Sequence, residues 1–171
     1  GAFTSSIPAL EPGTPVKVMG PLGVFCQDID DKPEIAMIAG GVGITPFLSV
    51  LRHFRNIRAK NRVLLFWSNK TRADIFCREE ITAMSTELSL IVVHCLSREE
   101  SVAGLFEEGL PAVRYEKGRL SAEIMQRHGM TRTAACYVCG PGPMMEAAVK
   151  ELELLGIDPQ TVAQERFVWK Q

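Results

Sequence analysis

From residue 34 onward, short apolar runs alternate with amphipathic stretches, and two of the runs end in glycine-rich turns. Continuous apolar runs are typical of strands buried on both faces, and amphipathic stretches are typical of helices. The alternation predicts a doubly wound, Rossmann-like α/β fold, with helices on both faces of a parallel sheet. We expect five strands, over residues 35–39, 63–67, 89–94, 135–138 and 161–167, and a looser stretch over residues 97–117.

The first 30 residues have a different character. They are rich in glycine, proline and threonine, and their one alternating run covers residues 15–19. This shift in composition predicts a boundary, with residues 1–30 forming a separate piece and linker and residues 31–171 forming the α/β domain.

The bulk composition excludes several classes of protein. The chain has 171 residues, of which 46% are hydrophobic and 23% are charged, and this is enough for one domain with a substantial core. A net charge of −1 argues against a nucleic-acid partner, and we interpret the basic residues from 52 to 62 as a solvated helix face. No apolar run approaches the roughly 20 residues that span a bilayer. Five cysteines without a disulfide framework favour a cytoplasmic location.

Two of those cysteines, Cys136 and Cys139, have the spacing of a metal or redox pair. The residues around them are typical of a buried strand, on which positions three apart point to opposite faces. We therefore expect neither a metal site nor a disulfide from this pair.

The first candidate binding site is a turn after the first strand, Gly41-x-Gly43-x-x-Pro46. Glycines let the backbone approach a ligand closely, and the helix behind them offers free N–H groups to a pyrophosphate. Thr45 is expected to cap that helix and Pro46 to begin it. A plain tight turn is the alternative interpretation.

The second candidate is Cys139-Gly140-Pro141-Gly142-Pro143-Met144, which ends the fourth predicted strand and opens another helix. A thiol at that position would face the crevice where doubly wound sheets bind ligands. The alternative is a small buried residue before a structural turn.

The two segments together resemble the paired signatures of the ferredoxin–NADP reductase superfamily. Residues 38–46 are similar to the nucleotide-binding turn of that family, and residues 137–145 to its second signature, in the same order and with the same separation. Residues 13–25 resemble the last strand of the family's flavin barrel and its link to the nucleotide domain. Gly118-Arg119-Leu120 and Glu165-Arg166-Phe167 also have counterparts in the family.

The resemblance implies a role for each matching position. Cys139 and Glu165 would lie near the nicotinamide ring and act as catalytic residues, and Phe167 would lie near the flavin. A Gly1-x-x-Thr4 segment resembles the family's flavin-phosphate loop. The remaining positions that we expect to bind cofactor are Gly41, Gly43, Thr45, Pro46, Ser68, Ser97, Arg98, Gly140, Pro141 and Met144.

The family's main flavin motif, Arg-x-Tyr/Phe-Ser/Thr, is absent. We expect the missing barrel strands to lie upstream of Gly1 in a longer protein, so that residues 1–30 are the end of an antiparallel FAD-binding barrel. The chain alone is then expected to hold FAD weakly.

The nucleotide itself is predicted to be NADP, with NAD as the alternative. No carboxylate follows the second predicted strand until Asp74, whereas an acidic residue there would favour NAD. Ser97-Arg98, after the third strand, resembles the family's phosphate-binding pair, and an Arg side chain suits a phosphate dianion.

The predicted function is that of an NAD(P)H-binding module in a flavin-dependent electron-transfer oxidoreductase, which passes electrons through FAD to a one-electron carrier protein or a metal centre. A non-catalytic regulatory module that binds nucleotides, and an unrelated α/β domain that binds a protein, are the alternatives.

Overall fold

The computed structural model describes residues 2–20 and 22–166, and its main element is one parallel sheet of six strands. The strands lie in the order β4-β3-β2-β1-β5-β6. Their bounds are β1 Glu34–Gly40, β2 Arg62–Asn69, β3 Leu90–Leu96, β4 Val113–Lys117, β5 Ala135–Gly140 and β6 Ala163–Arg166. The helices are α1 Ala2–Ser6, α2 Ile44–Ile57, α3 Arg78–Glu87, α4 Ala122–Arg127 and α5 Gly142–Leu154.

The sheet is covered on both faces, as the sequence predicts. Apolar side chains of α2 and α3 pack on one face, and those of α4 and α5 pack on the other. The central strand β1 is buried on both faces from Ile35 to Ala39, which explains why its sequence does not alternate. In α2, Phe47, Leu51 and Phe54 lie four and three residues apart and form the buried stripe.

The expected number of strands was one too low. Residues 97–117, predicted to be a looser stretch, end in the edge strand β4, which pairs with β3 from Val113 onward. The strand reads Val-Arg-Tyr-Glu-Lys, and only Val113 is fully buried. An edge strand pairs on one side only, so polar residues are tolerated along it and no apolar run marks it.

The expected start of α2 was also wrong. Residues 41–43 form a 3-10 turn that runs directly into the helix, so α2 begins at Ile44 and its N-cap is Gly43. The Thr45 hydroxyl donates backward to the Val42 carbonyl at 3.0 Å, inside the first turn, and does not cap it.

The predicted placement of the two spaced cysteines on opposite faces of a strand agrees with the structure. Cys139 belongs to the core on the α2/α3 face, and Cys136 belongs to the core on the α4/α5 face. Both thiols are free.

The segment before the sheet contains α1 and two 3-10 turns, Ile7–Ala9 and Ile29–Asp31, and no strand in the described ranges 2–20 and 22–33. Its apolar side chains Val16, Val18 and Met19 are exposed, up to 84% at Val18. A strand needs a neighbour to bond its backbone groups, and no described residue provides one here. The barrel origin of residues 1–30 therefore stays a prediction.

One polar residue lies inside the core on the α2/α3 side of β3. His94 is fully buried, and its ring lies between Trp67 and Tyr115 at centroid distances of 5.6 and 5.1 Å. Its Nδ1 atom has no hydrogen-bond partner among the described residues. Burial lowers the pKa of His94 from 6.5 to about 4, because the charged imidazolium would lose its hydration.

We expect this histidine to make the fold sensitive to acid. The pKa of His94 is lower in the folded state than in the unfolded state, so its contribution to stability is fully present above about pH 6.5 and is lost as the pH falls toward about 4. The loss amounts to roughly 3 kcal/mol across that window. Melting curves at several pH values should show a smaller acid-induced loss for His94→Phe, which keeps an aromatic ring and cannot titrate. Equal losses for wild type and variant would contradict this assignment.

Candidate nucleotide-binding site

The carboxyl ends of β1, β2, β3 and β5 border one cleft of about 610 Å³. The strand order reverses between β1 and β5, and this reversal is the point where doubly wound sheets bind their ligands. The lining comes from the turns that follow the strands and from the start of α5, and includes residues 40–42, 68–70, 118–120, Ser97, Pro141 and Met144.

The floor of the cleft is a contact between two glycine turns. A Cβ atom at Gly43 would lie 2.1 Å from the Cys139 carbonyl oxygen, and one at Gly140 would lie 3.0 Å from the Gly40 backbone nitrogen. Backbone therefore packs directly against backbone where β1 and β5 end. Gly41 has open space around its Cα, but its φ of +51° is a conformation that side chains disfavour.

A buried tryptophan holds this turn from below. Trp67 on β2 donates its indole N–H to the Gly41 carbonyl at 3.0 Å. The turn continues into α2, a helix of 14 residues, and the positive end of the helix dipole favours an anion. Because Gly41 and Gly43 leave the backbone of this turn without Cβ atoms, the residues present fit the pyrophosphate of a dinucleotide.

A second set of hydrogen bonds joins the ends of β2 and β3. The backbone N–H and the hydroxyl of Ser97 donate to the Asn69 carbonyl at 3.0 and 3.2 Å, and the Arg98 N–H donates to the Lys70 carbonyl at 2.8 Å. Ser68 and Ser97 consequently line the same cleft. The Arg98 side chain is exposed beside it and is not part of the lining.

The charged groups of the cleft were mostly missed by the sequence analysis. Lys70 and Arg119 line it as cations, and Asp74 lines it as an acid. The Asp74 carboxylate accepts bonds from the Thr71 hydroxyl and N–H, both at 2.8 Å, and these bonds lower its pKa. A basic residue close behind a strand is the sequence signal that could have identified Lys70 and Arg119. For Arg119 this signal was hidden, because β4 was predicted to be part of a looser stretch.

The two predicted catalytic residues face each other across adjacent strands. Cys139 on β5 pairs in register with Glu165 on β6, so their side chains share a face of the sheet. Cys139 is fully buried, and burial, aided by Glu165, raises the pKa of its thiol to about 11. The thiol is therefore neutral at physiological pH and is no nucleophile.

The structure brings together only part of the predicted site. The cleft is lined by Gly41, Ser68, Ser97, Pro141 and Met144, with Gly43 and Gly140 beneath its floor. Thr45 and Pro46 lie in the first turn of α2, and Thr4 lies in α1. Gly1 and Phe167 lie outside the described residues. Within residues 2–20 and 22–166, no cluster of three or more potential metal ligands occurs, and no helix has the length and apolar character to cross a bilayer.

Residues 37–150 match the oxidoreductase NAD-binding domain family, and the chain belongs to that family. It is 29% identical over 163 residues to NADH-cytochrome b5 reductase 1 of Eremothecium gossypii, covering 92% of this chain and 54% of the relative. It is 28% identical over 156 residues to the reductase component of propane 2-monooxygenase from Rhodococcus jostii, covering 91% and 41%. The chain thus spans about half the length of these curated relatives.

Solved structures give the same relationship. The cytochrome P450 reductase GcoB of Amycolatopsis matches with a TM-score of 0.69 and 26% identity, over 86% of this chain and 42% of that one. The cytochrome b5 reductase domain of Ulva prolifera nitrate reductase matches with a TM-score of 0.62 and 26% identity, over 80% and 49%. The predicted membership of the ferredoxin–NADP reductase superfamily and the predicted fold class are confirmed.

The close contact between Gly43 and the Cys139 carbonyl predicts that alanine substitutions at Gly43 and Gly41 have different effects. We expect Gly43→Ala to lower both the melting temperature and nucleotide affinity strongly, because its methyl group would collide with backbone that cannot move aside. Gly41→Ala meets no neighbouring atom and should cost only about 1–2 kcal/mol of stability through its φ angle. Thermal melts and calorimetric titrations of both variants measure the difference, and equal effects would contradict the packing argument.

Proposed function

We propose that this chain is the NAD(P)H-binding module of a flavin-dependent oxidoreductase, which takes hydride from NAD(P)H onto FAD and passes electrons to a one-electron acceptor. The observation that carries the proposal is the pair of glycine turns packed together at the strand-order reversal, beneath a cleft with two lining cations. The family match and the names of the relatives support the same conclusion.

The chain's own contribution is to bind and orient the nucleotide. The 41–43 turn and the start of α2 would hold the pyrophosphate, and Lys70 and Arg119 would add positive charge along the cleft. Bound cofactors supply the hydride and electron chemistry. Cys139 and Glu165 would guide the nicotinamide end by shape and polarity, since the thiol carries no charge.

The flavin half is proposed to lie upstream, in a longer protein. The relatives are about twice the length of this chain, and Val16, Val18 and Met19 expose an apolar row that a neighbouring strand would cover. Gly1 and Thr4 remain proposed flavin-phosphate contacts, and Phe167 a proposed contact of the flavin ring.

The electron acceptor is proposed to be a carrier protein or a metal centre, since relatives include a cytochrome b5 reductase and an oxygenase reductase component. The five free cysteines support a cytoplasmic location.

The full-length protein provides the direct test. We expect a flavin absorption spectrum and saturable binding of NADP⁺, NAD⁺ or AMP. Nucleotide binding without flavin would favour a regulatory module, and the absence of any saturable binding would favour a domain that binds a protein.

NADPH is the proposed donor. The Asp74 carboxylate is already bonded to Thr71 and is poorly placed to bind ribose hydroxyls, while Lys70 lines the cleft and Arg98 follows Ser97 beside it. The NADH named in the b5 reductase relative supports NADH as the second candidate.

We expect Arg98→Ala to weaken NADP⁺ binding by about one to two decades and NAD⁺ binding little, because a charge-assisted contact to the extra phosphate contributes roughly 1.5–3 kcal/mol. The matched control is Arg132→Ala, an exposed arginine that lines a separate pocket near the start of β5. Calorimetry with both nucleotides measures the change. Equal losses for NADP⁺ and NAD⁺ would remove the specificity argument.

We expect Cys139→Ser in the holoenzyme to slow flavin reduction by NADPH while nucleotide affinity stays near that of wild type. The physical reason is that guidance of the nicotinamide matters more in the transition state than in binding. Stopped-flow absorbance gives the rate, and a thermal melt provides the control. A lower melting temperature with an unchanged rate would leave Cys139 with a packing role alone, because a buried hydroxyl is costly in the core.

A further inference from the structure

Asn69, the last residue of β2, carries a buried amide whose Nδ2 atom bonds to none of the described residues. The residue is only 8% exposed and lines the nucleotide cleft. An unsatisfied buried donor is energetically costly, so such a group calls for a specific explanation.

Hydrogen bonds hold the backbone of Asn69 in place, so the position of its Cβ atom is well defined. Its carbonyl accepts two hydrogen bonds from Ser97, one from the N–H and one from the hydroxyl. In the β1–β2 register, Ser68 pairs with Gly40, and the next residue on each side, Asn69 and Gly41, lines the same cleft. The unpaired amide therefore stands beside the turn whose shape fits a pyrophosphate.

We propose that Asn69 is a phosphate-binding residue, whose Nδ2 donates to an oxygen of the adenosine diphosphate half of the nucleotide. This inference rests on the proposed function. In the structure, Nδ2 has almost no accessible surface. Rotation about the Cβ–Cγ bond would turn the amide edge toward the cleft, and this torsion is broad in asparagine, so the movement has a low energetic cost.

A phosphate oxygen is the acceptor that fits these surroundings best. It only accepts hydrogen bonds, which matches an amide N–H donor. Lys70, the next residue, also lines the cleft and adds positive charge. A hydrogen bond to a charged oxygen is stronger than one to a neutral hydroxyl, so it offsets the cost of keeping this donor unpaired.

Asn61 shows what a structural asparagine looks like in the same chain. Its Nδ2 donates to two backbone carbonyls, those of Asp30 at 3.0 Å and Lys32 at 2.7 Å, and it does not line the cleft. Removing the Asn61 amide breaks bonds within the fold, whereas removing the Asn69 amide breaks none that the described residues make. The two asparagines are therefore a matched pair.

The experiment uses the full-length protein with its flavin oxidised. Calorimetry measures the affinity of NADP⁺ and ADP, NMR titration measures that of adenosine, and melting without nucleotide measures stability. We expect Asn69→Ala to weaken NADP⁺ and ADP binding about tenfold, with adenosine affinity unchanged and a melting temperature no lower than that of wild type. Asn61→Ala should lower the melting temperature and leave the affinities unchanged. Asn69→Asp keeps the shape of the side chain but adds a negative charge, so it should weaken ADP binding further than Asn69→Ala.

Three results would overturn the inference alone: unchanged ADP affinity in Asn69→Ala and Asn69→Asp, an equal loss for ADP and adenosine, or a lower melting temperature without loss of affinity. A wild-type protein that binds neither NADP⁺ nor ADP would instead overturn the proposed function, and this inference with it.

Discussion

The contact between the ends of β1 and β5 is the constraint on which the rest of the structure depends. Gly43 lies against the Cys139 carbonyl so closely that no side chain fits between them. This approach lets the turn after β1 sit directly over the adjacent strand and enter α2 without a spacer. The helix therefore begins at the edge of the sheet, with the positive end of its dipole beside the reversal of strand order. A larger residue at position 43 would push the start of the helix away from β5 and open the turn that fits a pyrophosphate.

Much of the fold follows from local sequence, because strands buried on both faces leave little choice of residue. β1 is apolar from Ile35 to Ala39 and could be predicted directly. β4 could not, because its edge position permits charged residues such as Arg114 and Lys117. The start of α2 was misplaced because the sequence offers Thr45 as a cap, whereas the preceding 3-10 turn already supplies the helical geometry.

The site was less predictable than the fold, because much of it depends on strand register. The glycine turns could be recognised in the sequence, because glycine-rich segments that directly follow an apolar strand are typical of turns that bind phosphate groups. Trp67 is different: it pairs with Ala39 across β1 and β2, and that register brings its indole to the Gly41 carbonyl, 26 residues away in sequence. Asn69 follows Ser68, which the same register pairs with Gly40, directly before the turn. Nothing in the local sequence around residues 67–69 indicates either contact.

In the proposed function, the charged groups near the site suit the two halves of a dinucleotide differently. Lys70, Arg119 and the start of α2 provide positive potential where phosphates would lie, and the Asp74 carboxylate is held by Thr71. Cys139, which lies in the core and not in the cleft lining, carries a neutral thiol, because burial makes its ionisation costly. Glu165 is the carboxylate paired beside that thiol. The oxidised nicotinamide ring is a cation, so in the proposed function a carboxylate here favours the ring after its hydride has left. A thiolate at Cys139 would add a second negative charge next to Glu165, and this repulsion adds to the burial that raises the pKa of the thiol.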